Sequence, residues 1–162
     1  MDVNHYPLTR ELGMLLKKRG LKLAAAESCT GGAFARVITR VAGASAYFNC
    51  SLVTYSNQSK MDLLGVSANS LEKHGAVSGE VAEEMALGAL KRGHADIAVS
   101  FTGVAGPDGG TPEKPVGTVW ICVAQKNGKS ECRKVFFESG RQNIRNCAVT
   151  YALKWLSHLM QG

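Results

Sequence analysis

Nothing in this chain is spaced to bind a metal through cysteine pairs or to cross a membrane. Its five cysteines, Cys29, Cys50, Cys122, Cys132 and Cys147, are odd in number, and no two stand in a CxxC spacing. That argues against a disulfide framework and against a zinc site of paired cysteines. Most of the thiols are expected as small core residues. The four histidines, His5, His74, His94 and His158, are scattered with no HExxH pair, so no metal and no cofactor is expected. No run of about 18 apolar residues occurs. Met1 to Arg10 lacks the apolar centre of a signal peptide. A soluble, cytoplasmic protein with no membrane partner is the expectation.

Charge does not single out a partner either. The formal net charge is +6, but basic residues sit beside acids, as in Leu71-Glu72-Lys73 and Glu131-Cys132-Arg133. There is no long basic tract and no patch interleaved with aromatics, so nucleic acid is not the expected partner. A small anionic ligand is a better use for a few arginines. Hydrophobic residues make up 45% and charged residues 20% of the 162, an ordinary globular mixture. That length suits a single domain over residues 1–162 with a real core.

What is present is a succession of short periodic segments. Pro7 to Arg19 places Leu8, Leu12, Leu15 and Leu16 at helical spacing, and Gly20 ends it. Lys22 to Ala26 is short and mostly apolar and predicts a buried strand. Thr30 to Thr39 predicts a helix with Phe34, Val37 and Ile38 inward, followed by a turn over 41–45. Tyr47 to Tyr55 predicts a strand, Ser56 to Leu64 a helix capped by Ser56 or Asn57, and Asn69 to Lys73 a short helix. Ser78 to Arg92 is a helix capped by Ser78 and closed by Gly93. Ala95 to Phe101 predicts a strand, and 102–115 a long loop rich in glycine and proline. Val116 to Gln125 and Ser130 to Phe137 are strands joined at Asn127-Gly128. Arg141 to Met160 is a closing helix. This order predicts an α/β fold, a three-layer sandwich around a mixed central sheet.

Ligands in such folds gather at loops that follow strand ends. Glu27 to Gly32 is one such loop. If the helix starts at Thr30, the N–H groups of Thr30, Gly31 and Gly32 are free to hold a phosphate or an oxyanion. Equally, Ser28 or Thr30 could simply cap that helix. Thr54 to Lys60 is a second loop. There Lys60 lies one turn into a helix and Tyr55 at a strand end, a set able to activate a serine without histidine. A solvated lysine and a packed tyrosine are the alternative. Thr102 to Gly110 is the third. It lacks Walker A spacing and is either a ligand-lining loop or a flexible connection. Arg141 and Arg145, four apart at the start of the last helix, share a face. They oppose the helix dipole there, which favours anion binding over a purely stabilising role.

Five segments in order resemble the CinA C-terminal domain family. They are Ala26-Glu27-Ser28-Cys29-Thr30-Gly31-Gly32, Val53-Thr54-Tyr55-Ser56-Asn57 with Lys60, His74-Gly75-Ala76-Val77-Ser78, residues 103–110, and Lys114-Pro115-Val116-Gly117-Thr118-Val119. The resemblance spans about Leu8 to Leu159. It implies a CinA C-terminal-like fold and hydrolysis of the carboxamide of nicotinamide mononucleotide, with a small-molecule nucleotide as substrate and no metal. It further implies Ser28 as nucleophile, Lys60 as base and Tyr55 as aid to the leaving ammonia. N–H groups around Cys29, Thr30 and Gly31 would form the oxyanion hole, with Gly32 beside them. Thr102, Gly103 and Gly106 would line the pocket, and Arg141 or Arg145 would grip the phosphate. A homo-oligomer, a dimer, is implied as well. The pattern departs at Ser139-Gly140, where many relatives carry Gly-Asp, which predicts a differently shaped approach to Arg141. A nucleotide- or phosphosugar-binding module without turnover, and Cys29 as nucleophile in place of Ser28, are the competing readings.

Overall fold

The computed structural model describes residues 3–162. Its elements run α1 (Tyr6–Arg19), β1 (Leu23–Glu27), α2 (Ala33–Thr39), a single 3-10 turn (Ala44–Ala46), β2 (Phe48–Val53), α3 (Asn57–Leu64), α4 (Ala68–His74), α5 (Gly79–Arg92), β3 (Ile97–Gly103), β4 (Thr118–Gln125), β5 (Ser130–Phe136) and α6 (Arg141–Gln161). The predicted order of elements is the observed one.

The five strands form one sheet in the order β2-β1-β3-β4-β5. β1 pairs parallel with both β2 and β3, while β3-β4 and β4-β5 are antiparallel. The helical crossovers of the first half therefore give the parallel part, and the hairpin at Asn127-Gly128 gives the antiparallel part.

Alternation along β1 separates two cores. Leu23 and Ala25 face a layer of α1, α2 and α6, where Leu12, Leu16, Phe34, Ile38, Val149 and Leu153 are buried. Ala24 and Ala26 face the other layer, where Val81, Met85 and Ala89 of α5 meet Leu64 of α3. The alanines make β1 thin, and both faces are fully covered. This is the three-layer arrangement expected from the element order.

Two boundaries differ from expectation where they matter. The helix after β1 starts at Ala33, not Thr30, because Gly31 and Gly32 hold left-handed φ values of 58° and 97° that no right-handed helix contains. β3 extends to Gly103 because Thr102 and Gly103 pair with Trp120 and Val119 of β4. Those two residues are strand, not loop. Among the described residues, no helix is long and apolar enough to cross a membrane.

Candidate active site

Ser28 is the first residue past β1, and its N–H donates to the Phe101 carbonyl at 3.0 Å. The sheet thus fixes where the serine begins. The chain then turns: the Gly31 N–H donates to the Ser28 carbonyl at 3.0 Å, and Ala33 N–H donates to Thr30 at 3.0 Å. The Gly31 N–H is therefore spent inside the turn and is not available to a ligand, contrary to the expectation from sequence. The N–H groups of Cys29 and Thr30 donate to no backbone carbonyl among the described residues.

The start of α2 is not open to a ligand either. Glu27, 0% exposed, fills it. Its carboxylate accepts from the N–H of Phe34 at 2.9 Å and of Ala35 at 3.2 Å, from Thr30 Oγ1 at 2.7 Å and from Ser51 Oγ at 2.7 Å. A buried carboxylate with four donors and a helix N-terminus beside it is well compensated without a cation. It ties together the turn, α2 and β2. Sequence reasoning gave Glu27 no role. The signal was there, since an acid seven and eight residues before the two N–H groups can bridge a two-glycine turn, but only the left-handed pair makes that geometry possible.

Lys60 is 1% exposed on α3, whose start is fixed by a capping box between Ser56 and Ser59. Its Nζ lies 2.9 Å from Ser28 Oγ, 2.9 Å from the Thr54 carbonyl and 3.4 Å from the Tyr55 carbonyl. The Thr54 N–H in turn donates to the Glu27 carbonyl at 2.8 Å, so the tips of β1 and β2 are stitched together under the pair. Carbonyl oxygens only accept. A neutral amine gives its two N–H bonds to them and turns its lone pair on the serine hydroxyl. Burial pushes the Lys60 ammonium down from the usual lysine range. No carboxylate pairs with Lys60 among the described residues.

Cys29 is buried, and its thiol is pushed up to about 12, chiefly by burial. It does not carry a ready-made thiolate near neutral pH, and the Lys60 amine contacts the Ser28 hydroxyl at 2.9 Å.

Tyr55 is 62% exposed. Its hydroxyl accepts from Arg141 Nη2 at 2.9 Å, and Arg141 Nη1 donates to the Gly106 carbonyl at 2.7 Å. The structure thus brings Tyr55 to Lys60 by its carbonyl and to Arg141 by its hydroxyl. Despite the Ser139-Gly140 departure, α6 delivers Arg141 to this place. Ser139 Oγ accepts from Asn143 at 2.7 Å, and Gly140 caps α6 in extended backbone.

These residues enclose a cleft of about 320 Å³, to which Thr102, Gly103, Gly106, Asn57 and Asp108 also contribute. Thr102 turns its hydroxyl to the Ala76 carbonyl at 2.8 Å, so it shapes the wall and offers no free donor. Gly106 has φ 79°, and a Cβ there would strike Val116, so the loop's path needs glycine. Asn57 and Asp108 were not singled out in the sequence as site residues.

Arg145 is not in this cleft. Its Nη2 donates to the Thr30 carbonyl at 2.9 Å, and with Gly31 and Gly32 it lines a different hollow. The face predicted to be shared by Arg141 and Arg145 is divided by the turn after β1, and the two arginines line different hollows.

Residues 5–160 match the CinA C-terminal domain. The chain is 50% identical over 149 residues to the nicotinamide-nucleotide amidohydrolase PncC of Escherichia coli strain K12, covering 92% of this chain and 90% of that one. It is 50% identical to a CinA-like protein of Citrifermentans bemidjiense, covering 90% of this chain and 35% of that longer protein. Among solved structures, the competence/damage inducible protein CihA of Agrobacterium tumefaciens superposes with TM-score 0.94 at 39% identity, over 100% of both chains.

Proposed function

The chain belongs to the CinA C-terminal domain family, and on that premise we propose that it hydrolyses the carboxamide of nicotinamide mononucleotide to nicotinate mononucleotide and ammonia. The similarity to PncC of Escherichia coli supports the substrate. The observation that carries the chemistry is the buried contact of Lys60 Nζ with Ser28 Oγ at 2.9 Å.

In this reading the Lys60 lone pair takes the Ser28 proton as Oγ attacks the carboxamide carbon. The developing oxyanion is met by the unspent N–H groups of Cys29 and Thr30. The Lys60 ammonium then returns its proton to the departing nitrogen, and the C–N bond breaks to leave an ester on Ser28 and ammonia. Tyr55 can assist, because Arg141 donates to its oxygen and leaves its own O–H free to donate. Water, deprotonated by Lys60, hydrolyses the ester and frees Ser28. Arg141, at the mouth of the cleft, is the residue for the substrate phosphate, and Thr102, Gly103 and Gly106 form the wall.

The test is ammonia release from nicotinamide mononucleotide by the parent and by Ser28→Ala. Loss of the nucleophile should lower turnover by about 10³-fold or more, with the melting transition retained. Full turnover in a folded Ser28→Ala protein would falsify the reading.

A further inference from the structure

Arg145 was singled out by its spacing from Arg141, yet it stands outside the cleft that Arg141 serves. It lines a second hollow of about 400 Å³ between α2 and the start of α6. Among the described residues, none lines both. The second hollow holds three arginines, Arg36, Arg40 and Arg145, beside His5 and the amides of Gln142 and Asn146, and among the described residues no carboxylate lines it.

Among the described residues, the ion pairs are His74 with Glu80 and Arg133 with Glu131. None of the three arginines therefore has an acidic partner there. Arg36 and Arg40 lie at the carboxyl end of α2, where a cation is favourable for the helix. That reason fails for Arg145, which sits in the second turn of α6, near the positive end of its dipole. Its own hydrogen bonds go to neutral oxygens, the Thr30 carbonyl and Gln142 Oε1. Three guanidinium groups brought into one concavity repel one another unless an anion joins them. Guanidinium forks from two helices suit a ligand with more than one phosphoryl group.

We propose that this hollow is a second anion site, which binds a diphosphate or longer phosphate ester and is separate from the substrate cleft. Arg145 holds the Thr30 carbonyl at 2.9 Å, so the ligand's charge acts one hydrogen bond away from the turn that carries Ser28. The proposal does not depend on the amidohydrolase reading, because it is tested by binding without turnover.

The probe is inorganic pyrophosphate, titrated calorimetrically into the full chain at low salt. The expected result is one equivalent bound, with affinity that falls as salt is added. The double variant R36A/R40A should bind at least tenfold more weakly, and Arg141→Ala should bind like the parent. Both substituted arginines of the double variant are exposed, so its melting transition should match the parent's. Arg40→Glu alone should weaken binding in the same direction. Three results would overturn the site: no binding by the parent, unchanged affinity in R36A/R40A, or binding lost in Arg141→Ala, which would place the ion in the substrate cleft.

Discussion

A lysine sealed from water with no carboxylate beside it resists being charged, and Lys60 is in that position. Burial lowers its folded pKa, while in the unfolded chain it returns to about 10.4. The unfolded state therefore binds the proton more tightly. Stability grows as pH rises from the folded value toward the unfolded one, and the cost of burying the ammonium is fully present below that window. Activity follows the same ionisation, because only the neutral amine accepts the serine proton. We expect kcat/KM to rise with pH to a midpoint below that of free lysine. In Lys60→Met, the pH dependence of unfolding in that window should vanish along with turnover. A pH profile that is flat across neutrality in the parent would argue against lysine as the base. Glu27 acts on the same pair from beneath. Glu27→Gln replaces an acceptor by an amide nitrogen that cannot accept, so at least one of four buried donors loses its partner, at about 1–3 kcal/mol. Because the damage falls on the Ser28 turn and not on the cleft wall, kcat should fall several-fold more than KM changes. Unchanged kcat with lowered stability would reduce Glu27 to a structural residue.

Element packing sets how close the base comes to the nucleophile. Gly88 lies in the middle of α5, where glycine costs about 1 kcal/mol relative to alanine. The structure shows the reason: a Cβ there would strike the Leu64 carbonyl oxygen and lie 2.9 Å from its carbon. Leu64 ends α3, the helix that carries Lys60. Gly88→Ala gains the propensity but forces α3 outward, and overpacking of that kind costs about 1–3 kcal/mol. The expected outcome is net destabilisation in a urea titration and a fall in kcat, since Lys60 moves with α3. A more stable and fully active Gly88→Ala would show that α3 is free to shift without loss. None of this is legible in sequence, where Gly88 is one small residue in a helical pattern. The capping serines are legible: Ser56 and Ser78 accept from the N–H groups at Ser59 and Val81 as their positions suggest. The start of α2 was misplaced because two successive glycines read equally as a helix entry and as a left-handed turn. Only the fit of Glu27 into the gap decides between them.

For the whole molecule, element order carried most of the architecture. Crossovers and one hairpin leave few ways to arrange five short strands. Ser28 and Lys60 were candidates from local pattern and from the family resemblance, and the fold sets them in contact across 32 residues of chain. The fate of Arg145 was not legible. A four-residue spacing gives a direction around a helix, but what lies to either side depends on the turn after β1, which is packed from another part of the chain. Asn57 and Asp108 were missed for a similar reason, since the segments that follow β2 and β3 come together only in the fold, where both line the cleft.

The three groups of the candidate site come from three layers: Ser28 from the sheet, Lys60 from the α3–α5 side and Arg141 from the α1–α2–α6 side. The Arg141–Tyr55 contact alone closes 86 residues of chain. No intermediate lacking either helical layer can hold all three together. During refolding, the return of turnover is therefore a clock for the final docking event, and a collapsed chain with its secondary structure restored would still be silent.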